Sequence, residues 1–113
     1  MKNIAEKMLF WKMDARLSGT AALLWCATWA KELTLDGQPW SLKQLYIRWA
    51  GKHGGSWQAV GLAIEDALAA AGVQQTNKGA ICALVGYSLR SRSINTPEGW
   101  NSLAEKEGVT AEN

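Results

Sequence analysis

The sequence predicts one domain, mainly α-helical with a small β-hairpin, with an extra helix at its N-terminus and a short one at its C-terminus. Three observations predict it. A length of 113 residues suits a single modest core. Apolar residues make up 48% and charged residues 19%, the balance of a folded globular chain. Residues 3–71 repeat a pattern of helically spaced apolar positions bounded by Gly, Ser and Thr, whereas the segment after them is short, apolar and interrupted by glycine.

Taken in order, residues 3–17 read as the extra N-terminal helix, because Ile4, Met8, Trp11 and Ala15 recur at helical spacing. Ser18-Gly19 breaks it. Thr20 then caps a second helix running to Leu33, apolar nearly all round and therefore central and buried. Asp36-Gly37 and Pro39 mark a turn. Ser41 with Gln44 has the spacing of a capping box, flanked by Trp40 and Leu45 as a hydrophobic staple. The helix that follows turns Leu42, Leu45, Tyr46 and Trp49 inward, leaving Lys43, Arg48 and Lys52 outside. Gly51 and then Gly54-Gly55 end it. Ser56 caps the next helix, with Val60, Ala63, Ile64, Ala67 and Leu68 as its inner face. Gly72 at its end suits the left-handed position, with Val73 as the apolar contact after it.

From Val73 to Tyr87 two readings stand. Asn77-Lys78-Gly79 can be a three-residue hairpin loop, while Ala80, Ile81, Leu84 and Val85 also have helical spacing. Gly79 and Gly86 favour the hairpin, because glycine disfavours a helix interior. Thr96-Pro97 opens the short C-terminal helix, anchored by Trp100 and Leu103. The chain thus divides into residues 1–17, a core over 18–88, and residues 89–113.

Composition excludes several function classes. The net charge of +2 is not that of a polybasic protein, so a nucleic-acid site depends on where the charges sit. Residues 37–95 carry six basic against two acidic side chains, and residues 96–113 one against four. Cys26 and Cys82 stand far apart and His53 is the sole histidine, so neither a conventional zinc site nor a disulfide framework is expected. The apolar run from Gly19 to Ala30 is shorter than a membrane span, and the N-terminus lacks the order of a signal peptide. The expectation is a cytoplasmic protein with no membrane association. No phosphate-binding loop, dinucleotide fingerprint or nucleophile elbow occurs, so an enzyme is not expected, nor is a cofactor. Of the seven tryptophans most read as core or rim packing, Trp25 and Trp29 standing four apart on one helix face, while any surplus points to a partner surface.

Residues 42–64 resemble a helix-turn-helix: Ala50 is small where the helices cross, Gly54 sits at the turn, Ser56 caps the second helix, and Val60 points inward. The preceding Asp-Gly turn with Trp40 before Ser41, and the Ala71-Gly72-Val73 exit, extend the likeness over residues 18–88. The segment resembles the winged helix-turn-helix domains of bacterial, phage and plasmid regulators and replication proteins. The resemblance implies a double-stranded DNA-binding regulator of transcription, replication or transfer of a mobile element, with the helix after Ser56 in the major groove. Carried over by position, Trp57, Gln58 and Gly61 face the bases, Gln58 as the natural adenine reader. Lys43, Arg48, Lys52, Ser56, Lys78 at the wing tip, Arg90 and Arg92 become backbone contacts. The reading helix has no Lys or Arg and carries Glu65-Asp66, so its flanks must supply the charge. A homodimer is expected, with Ile4 to Leu17 as its arm. The rival reading is a protein-binding accessory or inhibitory module using Trp57 and Leu62.

Overall fold

The computed structural model describes residues 3–94, with side chains described as far as residue 90. Five helices follow one another: α1 (Ile4–Phe10), α2 (Ser18–Leu35), α3 (Leu42–His53), α4 (Trp57–Ala70) and α5 (Asn77–Ile94). Among the described residues there is no strand, so the fold is all-α and the expected winged architecture is corrected: no hairpin forms between Val73 and Tyr87. The expected C-terminal helix from Thr96-Pro97 lies outside the described residues.

Helix α2 is the centre. It buries Gly19, Ala22, Leu23, Cys26, Ala27, Trp29 and Ala30, and it touches all four other helices, α4 most extensively. Its small residues let the neighbours approach. A Cβ at Gly19 would collide with the backbone carbonyl of Ala63 on α4. Glycine here sits inside a helix and sets a helix crossing, where the sequence suggested a break.

The N-terminal helix is shorter than its periodicity predicts. Asn3 and Glu6 form a reciprocal capping box, Asn3 Oδ1 accepting from the Glu6 N–H at 2.9 Å and Glu6 Oε1 from the Asn3 N–H at 3.0 Å. The helix stops at Phe10 because Lys12 adopts a left-handed conformation, φ 63°. The Lys12 N–H then donates to Leu9 O and the Met13 N–H to Met8 O, with Met8 and Met13 both buried, which is a Schellman exit made without glycine. Asp14 holds the link to α2. It accepts from the Arg16 backbone N–H at 2.9 Å, and its carbonyl takes the Thr20 hydroxyl proton at 2.6 Å. Thr20 is therefore a tie within the first turn of α2, and the N-cap residue is Leu17.

Both serine caps form, but among the described residues Ser41 and Gln44 make only the serine half of the expected capping box. Ser41 Oγ accepts from the Gln44 N–H and Ser56 Oγ from the Ala59 N–H, each at 3.2 Å. Gly72 (φ 75°) ends α4, with the Val73 N–H donating to Leu68 O at 3.0 Å.

Helix α5 replaces the wing for two reasons. Thr76 supplies a start, its Oγ1 accepting from the Gly79 N–H at 3.0 Å and its carbonyl from the Ala80 N–H at 2.8 Å. Ala80, Ile81, Leu84, Val85 and Ser88 then form one buried face with helical spacing. Burying an aliphatic side chain of this kind contributes about 1.5–3 kcal/mol, against about 1 kcal/mol lost at each helical glycine. Packing wins. Among the described residues no helix is long and apolar enough to cross a membrane.

Candidate nucleic-acid interface

The site is built on α3, the turn of residues 54–56, and α4. Gly54 (φ 88°) and Gly55 (φ 86°) make two successive left-handed steps, and an added Cβ would meet nothing within 4 Å at either. Only glycine makes that pair of steps without strain, so the requirement here is conformational and not one of space. The turn ends on Ser56, which caps α4, and the first turn of α4 contains no acidic residue to neutralise its free N–H groups.

Helix α3 brings the charge. Lys43, Arg48 and Lys52 are all exposed, and the chain from Gly37 to Ile64 contains no Asp or Glu. Two of the three cations rest on aromatic rings. Arg48 Cζ lies 4.2 Å from the centroid of Trp29, and Lys43 Nζ lies 5.2 Å from that of Trp57. An aromatic row continues behind them: Trp25 and Trp29 are 6.2 Å apart, Trp29 and Trp49 6.4 Å, and Trp49 stacks on His53 at 3.7 Å. This row ends at the turn and braces α3 on α2 behind Arg48, whereas Lys43 rests on α4 through Trp57.

The structure separates the residues proposed from sequence into groups. Lys43, Arg48 and Lys52 are exposed around α3, Lys43 on its α4 flank and Arg48 on its α2 flank, and Ser56 and Gln58 are exposed at the start of α4. Trp57 does not project beside them: the ring is half-buried against the core, under Lys43. Gly61 faces inward, its Cα directed at the Tyr46 ring (a Cβ would stand 3.1 Å from it), and its carbonyl accepts from Asn77 Nδ2 at 2.9 Å. Lys78 is no wing tip; it is exposed in the first turn of α5, next to Asn77. Arg90 stands twelve residues further along the same helix, about 18 Å away at 1.5 Å per residue. Its guanidinium leans back over Gly86, where a Cβ would come within 3.1 Å of it. Arg92 lies in the last turn of α5.

Asn77 is the residue that sequence reasoning missed. Its Nδ2 donates to both Tyr46 Oη (3.0 Å) and Gly61 O (2.9 Å), tying the start of α5 to α3 and α4. The signal available was Thr76-Asn77 as a helix start, obscured by the competing Asn-Lys-Gly loop. Burial pushes the Tyr46 phenol above its usual pKa, while the Asn77 hydrogen bond acts in the opposite direction. Burial likewise raises the Cys26 thiol to about 12, so it is no nucleophile at neutral pH. Among the described residues no three His, Cys, Asp or Glu side chains gather to hold a metal ion.

Comparison with protein-family models, with curated proteins and with solved structures finds no match to this chain.

Proposed function

We propose that the surface of α3, the glycine turn and the first turn of α4 binds double-stranded DNA. The observation that carries the reading is the stretch from Gly37 to Ile64, which has no acid and exposes Lys43, Arg48 and Lys52 on one helix. Phosphate neutralisation supplies most non-specific affinity for DNA, and cations already resting on rings lose less side-chain freedom on binding. The capped N-terminus of α4 adds backbone N–H groups suited to a phosphate. Gln58, exposed in that turn, is the base reader, whereas Trp57 and Gly61 serve packing. Lys78 is a further phosphate contact beside α4. Such a protein acts in the cytoplasm as a regulator, occupying a DNA site and excluding other proteins from it.

A second reading rests on a different observation. Leu62 is 62% exposed on the outer face of α4, between Ala59 and the Glu65-Asp66 pair, a surface suited to a protein partner. Two variants separate them in one assay. Arg48→Glu with Lys52→Glu abolishes binding to a labelled random-sequence duplex, while Leu62→Glu leaves it near wild type. The reverse pattern, or wild-type affinity for both, would exclude DNA binding by this surface.

A further inference from the structure

Helix α1 ends on two large apolar side chains that nothing among the described residues covers. Ile4 and Met8 make its core side, while Leu9 is 72% and Phe10 76% exposed, more than any other large apolar side chain described. Single exposed apolar residues are ordinary on a protein surface, but two adjacent ones of this size mark a contact. The same helix packs against α5. Lys7 Nζ stands 5.0 Å from the centroid of Phe10 and 5.2 Å from that of Tyr87, so the two rings flank one ammonium group. Ile94, where α5 ends, lies seven residues past Tyr87, about 10 Å along the helix.

We propose that residues 95–113 fold back on this end of α1, Trp100 and Leu103 covering Leu9 and Phe10. Three features select this segment as the occupant. The chain runs on from Ile94 close to the patch: Trp100 is six residues further, a reach of up to about 20 Å, and Leu103 nine, a reach of up to about 30 Å. Trp100 and Leu103 are the largest apolar residues of the segment, and they stand three apart, so two apolar side chains are set against two. The charges are complementary. The stretch from Lys7 to Lys12 brackets Leu9 and Phe10 with two cations and contains no acid, whereas the segment carries Glu98, Glu105, Glu107 and Glu112 against Lys106 alone. A buried aromatic anchor with a rim of opposite charges is the usual form of such a contact.

The test is limited digestion of the full chain by chymotrypsin, with cleavage after Trp100 followed by mass spectrometry and far-UV circular dichroism of every variant. Leu9→Ser with Phe10→Ser removes the patch but leaves the capping box and the buried Ile4 and Met8 of α1 in place, so helix content stays the same. Cleavage tracks the population in which the site is open, and Trp100 is cut at least about tenfold more slowly in the wild type than in this variant. Carbodiimide joins a carboxylate to an amine in contact with it; in the monomer fraction of the wild type it links Glu98, Glu105 or Glu107 to Lys7 or Lys12. Equal cleavage of the two proteins overturns the proposal. So does protection that grows with protein concentration, the mark of a second copy on the patch, and so do cross-links that run to Lys43, Lys52 or Lys78 in place of α1. If the double variant fails to fold, the cross-links decide alone. None of these readouts involves DNA, so the outcome is independent of the role assigned to α3 and α4.

Discussion

Replacing Gly19 by alanine perturbs the crossing on which the fold is centred. The added methyl would stand 2.9 Å from the Ile64 backbone nitrogen and closer still to the Ala63 carbonyl, and neither backbone atom can rotate aside. Relief requires α2 to draw back from α4 by about 1 Å or more, opening the contact that fully buries Leu23 and Ile64. Overpacking costs about 1–3 kcal/mol where neighbours are able to adjust, and these are rigid, so the upper end applies. The better helix propensity of alanine returns at most about 1 kcal/mol. The net loss is about 2 kcal/mol, and at 4–8 °C per kcal/mol for a domain of this size the melting temperature falls by about 8–16 °C. Thermal and urea unfolding followed by circular dichroism measure it. Gly51→Ala is the internal control, because a Cβ there meets nothing within 4 Å; it should be neutral or stabilise by up to about 1 kcal/mol. A Gly19→Ala protein that melts at or above the wild type would refute the packing of α2 on α4.

Four further outcomes follow from particular contacts. Asn77→Ala strips a donor from Tyr46 Oη and Gly61 O, destabilising by about 1–3 kcal/mol and moving the phenol titration, read in the ultraviolet, to still higher pH. Lys12→Gly relieves the left-handed backbone at φ 63° and stabilises by about 1 kcal/mol in urea unfolding, provided the exit from α1 is as described. Ser88 Oγ is buried without a hydrogen-bond partner among the described residues, so Ser88→Ala should be neutral or stabilising by up to about 1 kcal/mol, and a loss above that would reveal a bonded hydroxyl. The Cys26 thiol rises on folding from its ordinary 9.0 to about 12, so the folded state holds this proton more tightly than the unfolded one. Its contribution is intact below pH 9 and is lost as pH climbs towards 12, about 2 kcal/mol by pH 10.5, a decline that Cys26→Ala should flatten relative to wild type.

Local chemistry made part of this fold legible. Ser41, Ser56 and Gly72 act within a few residues of themselves, and each serine caps its helix and Gly72 ends α4 as the spacing predicts, although Gln44 does not complete the box with Ser41. What failed depends on partners distant in sequence. Gly79 and Gly86 argue against a helix until the buried face of Ala80, Ile81, Leu84 and Val85 is set beside them. Lys12 carries no mark of the left-handed turn it makes, since asparagine or glycine would be the expected residue. Gly19 reads as a breaker because the backbone of α4, which requires it, is more than forty residues away. The candidate interface divides the same way. The cations of α3 follow from period and composition, but the inward turn of Trp57 and Gly61 is set by Lys43 above the one and by Tyr46 and Asn77 against the other.

The central claim is that α3 and the start of α4 contact DNA phosphates, and its most direct test is fluorescence anisotropy of the full chain against a random-sequence duplex over a range of salt concentrations. Four phosphate contacts, from Lys43, Arg48, Lys52 and Lys78, predict that log K falls with log salt at a slope of about −3.6, and that Arg48→Gln with Lys52→Gln reduces this to about −1.8. Absence of binding at low salt by the folded protein, or a slope untouched by the two substitutions, would contradict the account.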